Sequence, residues 1–169
     1  MTDPIVNRVA ESVLITFDLE KLYQIGIRQS IDLSQWLEQG LLLKEKEFRT
    51  QLKAHDWSAY QDQFIALHCS TEAILPAWAS LLVMTHLQPY ARKVVLGSLN
   101  DLEVQLFVEE IQLLDVTPYK DQPLIIKGCS DKTVPQDAYV QLIAKLQPVV
   151  KSLFYGEACS SVPLFKKKK

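Results

Sequence analysis

Residues 48–97 of this 169-residue chain are echoed by residues 107–156. Phe48, Asp56, Tyr60, Asp62 and Gln63 recur 59 places on as Phe107, Asp115, Tyr119, Asp121 and Gln122. Pro123 is then inserted, so Ile65, Cys69 and Ser70 recur 60 places on as Ile125, Cys129 and Ser130. One residue is lost in the next loop. Pro76, Ala79, Leu87, Gln88, Pro89 and Gly97 then match Pro135, Ala138, Leu146, Gln147, Pro148 and Gly156. The identities include proline, glycine and cysteine, the types with the least interchangeable backbone and chemical roles. A tandem duplication is the expectation, and it constrains the fold before any other feature does.

Each copy reads as helix, turn, strand, loop, helix, strand. The first helices are predicted over Lys44 to Ala54 and Asp101 to Leu113. Phe64 to Cys69 and Leu124 to Cys129 are short apolar runs, as in buried parallel strands. The second helices should start at Pro76 and Pro135, because proline suits the first helical turn. They should stop at Gln88 and Gln147, because a residue before proline avoids the helical region. Lys93 to Leu96 and Ser152 to Tyr155 close the copies as strands, each ended by glycine. Ser12 to Leu19 alternates apolar and polar residues, and Ile27 to Leu33 does so weakly, with Gly26 between them. That pattern predicts an N-terminal β-hairpin, then a short helix near Ser34 to Glu38. The expected fold is α/β: one domain with a mostly parallel sheet and flanking helices. Within it, residues 1–43 form the hairpin and short helix, 44–97 and 101–156 are the two repeats, and 157–169 are a C-terminal extension with a lysine tail.

Composition narrows the function classes. Glycine is scarce, with five residues, which argues against a glycine-rich nucleotide loop. The net charge is -2, but four lysines sit at Lys166 to Lys169, so the body carries about -6. An acidic body does not suit nucleic-acid binding. The lysine run reads as a solvated end. Ala73 to Ala91 lacks charged residues, yet Pro76 and Pro89 cut its helix short, so it reads as a core helix and no membrane span is expected. No secretory signal is read at the N-terminus, so the three thiols are expected to be reduced and the protein cytoplasmic.

The copies also differ. Asp137, Gln141 and Lys145 form a polar helical face, where the first copy has Trp78, Leu82 and His86. The apolar version should be covered, by the hairpin or by a second subunit. Trp78, Leu82 and His86 are therefore the candidate interaction face.

The cysteines carry the strongest chemical hint. Cys69, Cys129 and Cys159 are each followed by serine, then by an aliphatic residue and proline. Cys69 and Cys129 end a predicted strand ahead of a helix. Cys159 lies three residues past Gly156. All three are expected at the carboxyl edge of one sheet, where ligands of α/β folds bind. A thiol near a helix N-terminus has a lowered pKa, as metal binding and sulfur chemistry require. His86 is a further candidate ligand. Ser70, Ser130 and Ser160 are candidate loop residues.

Other motifs are rejected. His68-Cys69 resembles the start of a tyrosine phosphatase loop, but Leu75 stands where that loop needs arginine. Cys129 with Lys132 and Thr133 fits a sulfurtransferase loop loosely. There is no phosphate-binding loop, nucleophile elbow or zinc-protease motif. Asp56 beside His55 reads as a turn or cap residue.

Several segments together resemble one uncharacterised bacterial family, domain of unknown function number 2480. They are Ile5 to Val9, Phe17 to Glu20, Leu43 to Arg49, His55 to Trp57, Ala66 to Pro76, Ile125 to Ser130, Tyr155 to Ser160 and Val162 to Phe165. The resemblance runs from about residue 5 to the end and brings no assigned activity. What it implies is a link to iron–sulfur cluster assembly. The leading expectation is a small accessory protein whose Cys69, Cys129 and Cys159 bind zinc or an iron–sulfur species. The alternatives are a non-catalytic interaction module, as a homodimer or with a protein partner, and a thiol enzyme such as a sulfurtransferase.

Overall fold

In the computed structural model, which describes residues 14–128, 131–157 and 159–168, the chain makes two sheets. The strands are β1 (Ile15–Phe17), β2 (Arg28–Asp32), β3 (Phe64–His68), β4 (Lys93–Leu96), β5 (Pro123–Ile126), β6 (Ser152–Glu157) and β7 (Ser160–Lys166). The helices are α1 (Glu45–Ala54), α2 (Ala77–Leu87), α3 (Leu99–Leu113) and α4 (Gln136–Leu146). The α/β class, the flanking helices and the mostly parallel strands are as the sequence predicts. The single sheet is corrected to two, in the orders β2-β3-β4 and β1-β5-β6-β7.

Two compact units carry them. Unit 1 comprises residues 1–23 and 106–169, and unit 2 comprises residues 24–105. Each unit has its own core. In unit 2, Phe48, Leu52, Ile65, Ala79, Val83 and Leu87 are fully buried. In unit 1, Leu124, Ala138, Leu142, Leu146, Val150 and Leu153 are fully buried. Positions that align in sequence adopt matching geometry. Asp62 and Asp121 both take left-handed backbone, at φ 57° and 55°. The Asp62 amide donates to Tyr90 O and the Asp121 amide to Val149 O. Asp56 and Asp115 accept from the amides of Ser58 and Thr117, so Asp56 is a turn residue, as expected.

The N-terminal hairpin is also corrected. β1 pairs in parallel with β5, Phe17 opposite Ile126, while β2 pairs in parallel with β3, Ile31 opposite Leu67. The reason lies in burial and capping. Phe17 and Ile31 each bury against the core of their own unit. The residue that follows each, Asp18 or Asp32, then caps a 3-10 turn, Leu19–Leu22 or Leu33–Trp36. A polar cap at each strand end turns the chain away before an antiparallel partner can form. The second of these turns is the short helix expected near Ser34.

β7 was not expected. It pairs antiparallel with β6 and is the edge strand. Pro163 and Lys166 on this strand are the residues that discourage further edge pairing. The lysine tail as a wholly solvated end is therefore corrected. Lys166 lies in β7, the Lys167 amide donates to Lys151 O at 2.9 Å, and its ammonium reaches Asp121 at 3.1 Å. Among the described residues no helix is long and apolar enough to cross a membrane.

Candidate functional site

The carboxyl ends of the parallel strands form two rims, one per sheet, so the expectation of a single rim bearing all three thiols is corrected. Cys69 follows β3 in unit 2. Cys159 lies in the turn between β6 and β7 in unit 1, and Cys129 follows β5 in the same unit's sequence. Cys129 and Ser130 lie outside the described residues.

At the unit 2 rim, Asp32 organises the loops. One carboxylate oxygen accepts from the Ser34 amide at 2.9 Å and the Ser70 amide at 3.0 Å. The other accepts the Ser70 hydroxyl at 2.5 Å. Partial burial pushes the Asp32 carboxyl up, but the Ser70 hydroxyl and the Ser34 and Ser70 amides together outweigh it and hold the group well below the usual aspartate range. So acidic a carboxyl is a poor general base. Ser70 thus ties the loop after β3 to the end of β2 through Asp32. Cys69 is half-buried against the unit 2 core, with its sulfur 3.4 Å from the Thr71 hydroxyl.

A pH prediction follows from Asp32. Its folded-state pKa is depressed, so its stabilisation is complete above the ordinary aspartate value of about 3.9 and drains away as pH falls below it. Asp32→Ala should cost about 1–2 kcal/mol at neutral pH, the lower part of the range because the carboxylate is partly in water. The gap between urea melts of the two proteins should narrow steadily as pH falls from about 4 to about 2. A gap that stays constant over that window would contradict the assignment.

Trp78, Leu82 and His86 are half-buried on α2. The covers expected from sequence are the hairpin or a second subunit; within unit 2, Trp78 and Leu82 pack against a cluster that includes Ile31, Leu33, Trp36 and Phe48. Trp78 meets Phe48 of α1 edge-on at 6.0 Å, and the Arg49 guanidinium lies 5.4 Å from its ring centre. His86 stacks on Trp57 at 5.2 Å. It belongs to the last turn of α2, while Cys69 precedes the first. An 11-residue helix, about 16 Å long, separates them. His55, which the sequence set beside Asp56, bonds the Tyr60 hydroxyl at 3.0 Å within the same aromatic cluster.

The unit 1 rim has different chemistry. Cys159 is exposed. Ser160 opens β7 opposite Glu157. Lys127, just past β5, bonds Asp18 at 3.2 Å. That bond raises its pKa, with further help from the charges of Asp18, Glu20 and Glu157. Glu20 also accepts the Lys132 amide at 2.8 Å. Gly128 runs against the neighbouring strand: a Cβ there would lie 3.3 Å from Gly156 Cα. β5 and β6 are adjacent, with Ile126 opposite Tyr155. Asp18, Glu20 and Lys127 were not singled out from sequence. The signal that could have found Asp18 is the match of Phe17-Asp18-Leu19 to Ile31-Asp32-Leu33, 14 places apart. Among the described residues no group of three or more His, Cys, Asp and Glu side chains is arranged to hold a metal ion.

A family model described as protein of unknown function (DUF2480) matches residues 3–167. No curated protein matches the chain. No solved structure matches it either.

Proposed function

We propose, for a chain that belongs to the DUF2480 family and takes no activity from that membership, a thiolate site built on Cys129 and Cys159 that binds zinc or an iron–sulfur species. The observation that carries this reading is the adjacency of β5 and β6, the strands that lead to these two cysteines. Neighbouring strands run about 4.8 Å apart. Two thiolates on one tetrahedral metal sit about 3.7 Å apart, with metal–sulfur bonds of about 2.3 Å. Gly128 and Gly156, each near one of the cysteines in sequence, already lie side by side. Two thiolates leave coordination positions for water or for a donor from another molecule. Such an open site suits an accessory protein that passes a metal or sulfur species on, consistent with a role in iron–sulfur cluster assembly.

Cys69 carries the same local sequence but lies in the other sheet, against the core. His86 is occupied by stacking on Trp57. Neither is needed in the proposed site. The test is anaerobic purification followed by elemental analysis and an absorption spectrum. Stoichiometric metal is expected in the unaltered protein and in Cys69→Ser. At least about a tenfold loss of affinity is expected in Cys129→Ser and Cys159→Ser, from the removal of one thiolate ligand. Protein that comes out metal-free and fails to take up zinc overturns the reading. A thiol enzyme is separated by alkylation of Cys159 against pH, since a catalytic thiol titrates well below about 8.5.

A second reading, a non-catalytic interaction module, is favoured by a separate observation: leucine and isoleucine side chains stand in solvent around one groove of unit 2.

A further inference from the structure

We propose that this groove is a docking site for an extended protein segment that carries an apolar side chain next to lysine or arginine. The groove is an open surface depression of about 530 Å³. Leu41, Leu42, Ile74, Pro76 and Trp78 supply its apolar lining. Ile74 is 96% exposed, Leu41 57% and Leu42 55%. Scattered surface leucines need no explanation; here three exposed large aliphatic side chains border the same depression.

The turn that presents the leucines is rigid. Glu38 and Leu42 exchange both backbone hydrogen bonds, at 2.9 and 3.0 Å. Gln39 and Gly40 take left-handed backbone between them, at φ 51° and 73°. The Thr71 hydroxyl donates to Gly40 O at 2.6 Å and ties this turn to the loop that bears Ile74. Both walls of the groove are thus pre-organised, so little ordering entropy is lost on binding. A turn with this backbone needs only glycine and polar residues. Here it carries the run Leu41-Leu42-Leu43, and only Leu43 packs against the core.

Charge selects the partner. The charged residues lining the groove are both glutamates, Glu45 and Glu72. Glu45 shares its charge with Arg49 at 2.9 Å. Glu72 has no ion pair among the described residues and stands exposed beside Ile74. Arg49, paired with Glu45, lies over the Trp78 ring, so Glu72 is the carboxylate that favours a segment with an apolar anchor and an adjacent basic side chain over an acidic one.

The probe is a fluorescently labelled peptide, Leu-Phe-Ala-Lys-Lys-Lys, with Leu-Phe-Ala-Glu-Glu-Glu as its control. The lysine peptide should bind with Kd on the order of 10–100 μM, and the glutamate peptide at least about tenfold more weakly. Ile74→Asp should weaken the lysine peptide by about tenfold or more while leaving the melting curve unchanged, because the side chain supports no core packing. Glu72→Lys should remove most of the preference between the peptides. Equal binding of the two peptides, or unaltered binding by Ile74→Asp, overturns the proposal. So does a dimer in light scattering that Ile74→Asp dissolves, since the groove would then belong to a second copy of the chain.

Discussion

Replacing Phe48 by alanine is expected to cost about 3–5 kcal/mol, the range for truncating a fully buried aromatic ring. Phe48 has no exposed surface and sits at the centre of the unit 2 core. Its ring meets Trp36 at 6.3 Å and Trp78 at 6.0 Å, both edge-on, so truncation removes packing on two sides. A small domain has only about 5–15 kcal/mol in hand, so the loss is a large fraction of the total. The measurement is direct, because Trp36, Trp57 and Trp78 are the chain's three tryptophans and all lie in unit 2. Their emission during a urea titration reports this unit. The Phe48→Ala midpoint should fall sharply; a change below about 1 kcal/mol would contradict the packing described. Phe107→Ala removes the aligned ring of unit 1, which packs against Tyr23 at 6.4 Å. It should cost a similar amount, read by far-ultraviolet circular dichroism because unit 1 has no tryptophan.

The second large effect is expected from Gly156→Ala, at about 2–4 kcal/mol from backbone strain and overpacking together. Gly156 has φ +119°, a conformation that side chains disfavour, and an added Cβ would lie 2.6 Å from Ser160 O. That oxygen is backbone in the turn between β6 and β7, so the turn itself must move. The aligned Gly97→Ala should cost less. Its Cβ meets a side chain rather than backbone, Asp101 Oδ2 at 2.7 Å, and the cost is the Ser98 hydrogen bonds to that carboxylate that must be displaced. Because Cys159 sits in the turn that Gly156 shapes, the thiolate site proposed above predicts that Gly156→Ala also lowers any zinc affinity without touching a thiol. Thermal melts and zinc titrations of the two variants check both effects. A Gly156→Ala protein as stable as the unaltered one would show that the turn is not so constrained.

Much of the local structure was legible because local rules produce it. Pro76 with Gln88-Pro89, and Pro135 with Gln147-Pro148, bracket α2 and α4 to within a residue. Lys93 to Leu96 is β4 as read. The Glu45–Arg49 pair spans one turn of α1, four residues apart. β7 escaped notice for an equally physical reason. It is almost wholly exposed, holds a proline and shows no buried face, so its strand character comes only from the β6 edge beside it. At the unit 1 rim the Lys127–Asp18 pair was not legible, because its partners stand 109 positions apart in sequence.

Sequence alone determined the alternation of helix and strand and the helix limits set by proline. These follow from periodicity and backbone restriction, which act over a few residues. Only the tertiary structure decided that β1 and β2 part company, each closing a different sheet, and that Cys69 and Cys159 follow strands of different sheets. Phe17-Asp18-Leu19 and Ile31-Asp32-Leu33 are so alike that neither names its partner strand. The choice is made where Phe17 and Ile31 bury, and burial is a property of the folded core rather than of the segment that enters it.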